Sequence, residues 1–298
     1  MKLLMLKSKS ATFLAGQFKP NGKLIFKLLT VGLFLSHSAV QAQEGKKEDT
    51  QKTSMVEDEY KSFNIGLHLK NMHTWHGFVV TPAPMLATNL EYNSRNKKFT
   101  FGLWGGAGFS ATTTTNYNGE QINASYKELS IYTSYHITDK FFIEAVSHNN
   151  YTGVEERGDK LHYWSYDKTQ GYNFVDLNFG YQVTKSTSLY LATIIAGRSG
   201  DYEVQANGTL KDSYTHYFEV KSKVWEQDNN SLSLFAGGAW SFITDKTFYT
   251  EGKGNIINVG AVYSRKIKAA GFVLPVEVTA MWNPEKEKAV LQVDLRIF

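Results

Sequence analysis

The chain reads as an all-β protein: a transmembrane, antiparallel, up-and-down β-barrel of about twelve strands, of the bacterial outer-membrane type. Three observations predict it. From Ser62 to Phe298 the sequence is a series of short segments that are apolar on alternate residues. The connectors between them alternate between long and short. In nearly every segment the apolar phase carries no charge, and the charges fall on the opposite phase. A Lys or Arg on the lipid face at the bilayer midplane costs about 2–4 kcal/mol, which explains that separation.

The first 42 residues stand apart. Lys2, Lys7, Lys9, Lys19, Lys23 and Lys27 precede a short apolar run, Leu28–Leu35, far below the roughly 20 residues a spanning helix needs. Val40-Gln41-Ala42 offers small residues for cleavage before Gln43, so 1–42 is expected to be a cleaved signal peptide. The segment 43–61 (QEGKKEDTQKTSMVEDEYK) is polar and aperiodic, and is expected to be a disordered periplasmic lead-in. Residues 62–298 are expected to form the barrel.

Each element follows from its alternation. Ser62–Asn71 places Phe63, Ile65, Leu67 and Leu69 outward, and Met85–Tyr92 places Leu86, Thr88, Leu90 and Tyr92 there. Phe99–Phe109 contributes Phe99, Phe101 and Leu103; Tyr126–Tyr135 contributes Leu129, Ile131, Thr133 and Tyr135. Phe141–His148 gives Phe141, Ile143 and Ala145, and Asn173–Val183 gives Val175, Leu177, Phe179 and Tyr181. Ser188–Gly197 gives Leu189, Leu191, Thr193 and Ile195, and His216–Trp225 gives Phe218 and Val220. Leu232–Phe242 gives Leu232, Leu234, Ala236 and Trp240; Asn255–Ser264 gives Ile257, Val259, Ala261 and Tyr263. Phe272–Trp282 and Ala289–Phe298 complete the set. Pro275, inside the former, predicts a bulge or a shifted boundary.

Asn93–Lys97, His136–Asp139, Thr184–Thr187, Glu226–Asn230 and Arg265–Gly271 are short turns, expected on the periplasmic side. Asn71–Pro84, Ser110–Ser125, Asn149–Gly171, Arg198–Thr215 and Ile243–Gly254 are longer, expected on the extracellular side; Asn283–Lys288 is a short connector there.

Composition narrows the function. The whole chain carries 32 Lys+Arg and 28 Asp+Glu, but six Lys lie in residues 1–42, leaving 26 against 28, or −2. The basicity belongs to the leader, which removes the electrostatic case for nucleic acid. The absence of Cys excludes disulfides, thiol chemistry and thiolate metal ligands. Mean hydropathy is −0.33, which excludes a helical membrane bundle but not strands apolar on one face. No cofactor is expected.

The inward phase supplies the candidate site. Glu91, Glu128, Glu144, Asp176, Glu219, Glu277 and Asp294, with Lys70, Lys221 and Arg296, are expected to line the lumen. Trp104 and Tyr132 share that face. Seven acids against three bases favour cations, as charged rings do in pores. The bland alternative is that these groups pair across the lumen and fill it. His73 and His76, with His68, suggest a metal site only weakly, since no acid or Cys stands beside them. Ser147-His148 suggests a hydrolase only weakly, because adjacent strand residues point to opposite faces.

One stretch resembles a known family. Trp75-His76-Gly77, Pro82, Gly102-Leu103-Trp104-Gly105 and Tyr126-Lys127-Glu128-Leu129-Ser130-Ile131-Tyr132 come in order, and this is similar to the TorF-type porins. The likeness covers mainly Ser62–Tyr151, and His76 stands where that family usually has Arg. It implies a porin-like channel. Trp75, His76, Gly77 and Pro82 lie in a connector read as extracellular and are expected at the extracellular rim. The terminal Phe298 resembles the outer-membrane assembly signal, though it is out of phase with Leu291, Val293, Leu295 and Ile297. Together these readings point to passive diffusion of small hydrophilic solutes across the bacterial outer membrane, with a mild cation preference. The expected partners are outer-membrane lipid and lipopolysaccharide, periplasmic chaperones and the barrel-assembly machinery. The competing reading is a closed barrel that binds an extracellular ligand through its loops.

Overall fold

The computed structural model describes residues 60–115, 120–153, 165–168, 171–197, 200–269 and 271–298. The leader, and the lead-in up to residue 59, lie outside them. So does most of the connector read as Asn149–Gly171.

Every regular element among the described residues is a strand. In order they are β1 (Phe63–Lys70), β2 (His73–Trp75), β3 (Phe78–Thr81), β4 (Met85–Asn93), β5 (Phe99–Thr115), β6 (Gln121–Thr138), β7 (Phe141–His148) and β8 (Phe174–Gln182). There follow β9 (Thr187–Ala196), β10 (Tyr202–Val204), β11 (Leu210–Asp212), β12 (His216–Gln227), β13 (Asn230–Trp240), β14 (Gly254–Ala269), β15 (Phe272–Asn283) and β16 (Lys288–Arg296). Twelve of them close into one antiparallel barrel, in which β1 pairs with both β4 and β16. The remaining four form two hairpins, β2–β3 and β10–β11, within connectors.

The seam is short but extended by backbone bonds. Lys70 faces Asp294 and His68 faces Arg296. Beyond that register, Leu67 N donates to Phe298 O at 3.0 Å and Ile297 N to Leu67 O at 2.7 Å. Closure joins the first and last strands of the sheet to each other, the arrangement that lets a sheet sit in lipid.

The two faces differ as the alternation predicts. Phe63, Ile65, Leu90, Phe101, Leu129, Ile195 and Leu291 are exposed on the outside, while Met85, Ala87, Ser130, Asn178 and Met281 are buried inside. An exposed apolar belt around a closed sheet makes this a membrane-embedded barrel.

Several expectations need correction. Ile257 does not face outward. The β13–β14 register slips between Gly237 and Gly238, so Gly237 faces Asn258 and Gly238 faces Ile256. This bulge turns Ile256 out and buries Ile257 completely. Ser110–Ser125 is largely strand: β5 and β6 run on through Thr112–Thr115 and Gln121–Ser125, where the β-branched threonines suit an extended chain. Arg265–Gly271 is mostly strand as well, because β14 continues to Ala269. Pro275 makes no bulge. Its partner Lys266 sends its N–H to Asn229 O on the β13 side, so the donor Pro275 lacks belongs on the β16 side. There the ladder begins one residue later, at Val276, and the missing N–H costs nothing.

The inward face is not uniformly polar. Phe235, Val262 and Met281 form a buried cluster against Val290, closing that side of the lumen with apolar side chains.

Candidate functional site

The connector between β1 and β4 builds the site. Its sequence, Thr74-Trp75-His76-Gly77-Phe78-Val79, places a two-residue turn between apolar flanks. His76 and Gly77 both take positive φ, 44° and 85°, as a type I′ hairpin turn requires. Glycine is demanded at 77 a second time, by contact: a Cβ there would lie 2.2 Å from Ile257 O, at the β14 bulge.

The hairpin folds into the barrel. Thr74 N and Oγ1 both donate to Gln292 Oε1, at 2.8 and 2.9 Å. Asn283 Nδ2 donates to Gly77 O at 3.0 Å. The His73 ring stacks on Trp104 with centroids 5.2 Å apart. The His76 ring stacks on Tyr217 at 3.9 Å and 15°, and its Nδ1 lies 3.0 Å from the Tyr249 hydroxyl. Trp75 packs on Phe174 at 5.7 Å and on His148 at 5.2 Å. The β13–β14 connector also turns inward, bringing Phe248 and the buried Tyr249 onto the same cluster.

Trp75, His76 and Gly77 therefore do not stand on the rim. They plug the lumen at its long-connector end. The physical reason is the apolar content of the hairpin: Trp75, Phe78 and Val80 would all meet water on the rim, whereas inside they meet Ile257, Tyr249, Met85 and Tyr126. Pro82 alone of the four is exposed, between buried Thr81 and Ala83.

Burial sets the charge of the plug. It lowers the His73 imidazole to about 4, with Lys70 adding to the effect, and holds His76 well below its ordinary value, with His148 adding there. Both rings are neutral at pH 7. The two ring stacks send them to different neighbours, so His73 and His76 do not converge as a ligand pair.

Beside the plug lies a cavity of about 580 Å³. Lys70, Glu91, Trp104, Glu128, Tyr132 and Glu144 line it on the wall side, and Trp75, Phe78, Val79 and Val80 on the plug side. Lys70, the one lysine or arginine among the lining residues, is held by Asp294 at 3.1 Å, and His68 Nδ1 meets the same carboxylate at 2.9 Å. Glu128 accepts from Tyr126 and Ser130, both at 2.7 Å. Glu91 accepts from Tyr132 at 2.6 Å and Asn64 at 3.0 Å. Tyr132 reaches it by crossing Gly102, where a Cβ would sit 2.1 Å from the ring. Glu144 accepts from Asn178 at 3.3 Å.

The remaining predicted residues scatter. Asp176 is buried and lies 3.3 Å from His148 Nε2, while Glu128 lies 3.8 Å from His148 Nδ1. Glu219 accepts from Tyr217 at 2.5 Å and Asn258 at 2.9 Å. Glu277 is exposed and accepts from Ser264 at 3.0 Å. Lys221 and Arg296 are exposed, away from the cavity lining. Ser147 bonds Asn149 at 2.7 Å and Tyr166 at 2.6 Å, so it and His148 take separate partners.

Phe174 and Phe248 belong to the site and were not among the residues read from the sequence. Neither carries a pattern that marks it. The inward hairpin does have a signal: an X-Gly pair, His76-Gly77, between two β-rich runs.

No protein-family model matches the chain, and no curated protein matches it. Among solved structures, a NanC porin is similar over 78% of this chain and 98% of its own, with 6% identity and a TM-score of 0.39. LpxR from Salmonella typhimurium is similar over 78% and 98%, with 5% identity and a TM-score of 0.34. A Pseudomonas aeruginosa FadL homologue is similar over 79% and 74%, with 12% identity and a TM-score of 0.35. Likeness at this distance carries no argument about function. The resemblance of Ser62–Tyr151 to TorF-type porins rests on its short motifs alone.

Proposed function

We propose that this protein is a channel of the bacterial outer membrane for small hydrophilic solutes, that it prefers cations, and that the β2–β3 hairpin restricts its passage. The observation that carries the reading is the imbalance of charge in the cavity. Glu91, Glu128 and Glu144 face it, and the cations beside them are already engaged, Lys70 by Asp294 and His148 by Glu128 and Asp176. A low-dielectric wall of that sign raises the local concentration of cations and repels anions. Solutes move by diffusion down their own gradient. The long connectors lie on the extracellular side, outer-membrane lipid and lipopolysaccharide surround the belt, and export uses the leader, the chaperones and the assembly machinery of other barrels.

The test is conductance of the refolded chain, Gln43–Phe298, in a planar bilayer under a salt gradient. A cation-selective reversal potential is expected, moving towards zero in the triple variant Glu91→Gln, Glu128→Gln, Glu144→Gln. Selectivity that the triple variant leaves unchanged refutes the assignment. The aromatic packing of Trp75, His76, Tyr217 and Tyr249 favours a second reading, a closed barrel acting through its outer loops. Electrical silence from a folded barrel would select that one.

A further inference from the structure

The cavity has two unlike walls, and together they specify a class of ligand. One wall is acidic. Glu91 and Glu144 have only neutral hydrogen-bond donors, with no ion-pair partner among the described residues. The other wall, on the plug side, is aromatic and apolar, formed by Trp75, Phe78 and Val80, and Trp104 joins it from the barrel side. A volume of about 580 Å³ suits a small organic molecule rather than a bare ion.

We propose that the cavity binds an organic cation with an aromatic or other apolar body, its ammonium group directed to Glu91 and Glu144 and its body to Trp75, Phe78 and Trp104. The inference rests on the channel reading only for its biological sense, as the class of solute the channel takes.

The chemistry excludes the neighbouring classes. A neutral aromatic fills the apolar wall but strips water from two carboxylates without replacing it. An aromatic acid adds like charge to the same wall. An inorganic cation satisfies the carboxylates but leaves the aromatic wall wet. An organic cation does both. His148 does not pre-empt the site, because its two ring nitrogens are turned to Glu128 and Asp176.

The experiment is a titration of the folded barrel, extracted from membranes in detergent, followed by intrinsic tryptophan fluorescence, to which Trp75 and Trp104 contribute with the four other tryptophans, and by calorimetry. The probes are benzyltrimethylammonium, benzyl alcohol and benzoate. Benzyltrimethylammonium should bind at least tenfold more tightly than the other two. The double variant Glu91→Gln, Glu144→Gln should bind it about tenfold more weakly while keeping heat-modifiable gel mobility. The comparison of probes on the unaltered protein stands even if the variant fails to fold. Equal binding of benzyl alcohol, an unchanged double variant, or no binding of any probe overturns the proposal. Conductance of the same preparation separates the two readings. Cation-selective current without binding removes the ligand class alone, and binding without current removes the channel alone.

Discussion

The imidazole of His76 lies flat against the ring of Tyr217, centroids 3.9 Å apart and planes 15° from parallel, although 141 positions separate them in the chain. The contact joins the tip of an inward hairpin to the barrel wall. Such a stacked pair contributes about 0.5–1.5 kcal/mol beyond the area it buries. His76→Ala removes it, together with the bond to Tyr249. Gly77→Ala acts harder, since the left-handed conformation costs a residue with a Cβ about 1–2 kcal/mol before the collision with Ile257 O is counted. Single-channel recordings should show larger or longer openings for both, and more so for Gly77→Ala. Identical records would mean that the hairpin does not limit passage.

The plug should also respond to acid. His73 and His76 are neutral in place, with His73 held at about 4 by burial. Their folded values lie below the ordinary imidazole value, so the seated plug binds fewer protons than the released one. Its stability is full above about pH 6.5 and is lost as pH falls towards 4. The groups facing His76 are Tyr217, Tyr249, Tyr190 and Trp75, with His148 adding positive charge, and none of them is an acid that pairs with an imidazolium; around His73, burial, Lys70 and His148 outweigh Glu128 and Asp294. Conductance should therefore rise between pH 7 and pH 5, and a His73→Phe, His76→Phe variant should not show the rise. A flat profile in the unaltered protein would contradict this.

The bulge in β14 makes neighbouring isoleucines unequal. Ile257 is buried among Tyr217, Trp75 and Tyr249, and Ile257→Ala should cost about 2–5 kcal/mol through lost transfer plus a residual cavity. Ile256 is half-exposed on the outside, where lipid refills the space and only the transfer part is lost. Urea titrations in lipid, followed by gel mobility, should rank the two in that order. The reverse order would place the phase where simple alternation puts it.

His148 stands between Glu128 and Asp176. Replacing it by Gln leaves two buried carboxylates facing each other without a cation. The loss should be about 3–5 kcal/mol, as for one partner removed from a buried ion pair. The same titration measures it, and an unmoved midpoint would show that the pair contributes nothing.

The barrel was legible because alternation is a local property. Leu86, Leu90, Leu129 and Leu291 declare their face within a few residues, and the ladder only assembles them. Ile257 was misread for the complementary reason: a bulge shifts the phase by one, and nothing around Asn255-Ile256-Ile257 marks it. Seven inward acids followed from phase alone, but phase does not say which of them meet: Glu91, Glu128 and Glu144 line the cavity, whereas Asp176, Glu219, Glu277 and Asp294 do not. What could not be read was the plug. An apolar hairpin between β1 and β4 looks the same whether it stands on the rim or folds inward, and the decision rests on Tyr217, Ile257, Asn283 and Gln292, all more than 130 positions away.

Two anchors of the hairpin come from the far end of the chain. Thr74 is held by Gln292 of the final strand, and Gly77 by Asn283 just before it. These partners reach the hairpin only once β15 and β16 are in place and β16 has met β1. The hairpin is thus latched to the strands at the seam as well as to the opposite wall. A barrel with β16 displaced would lose both bonds to Thr74 while Tyr217 and Ile257 still face the hairpin tip, so the seating of the hairpin doubles as a latch on closure.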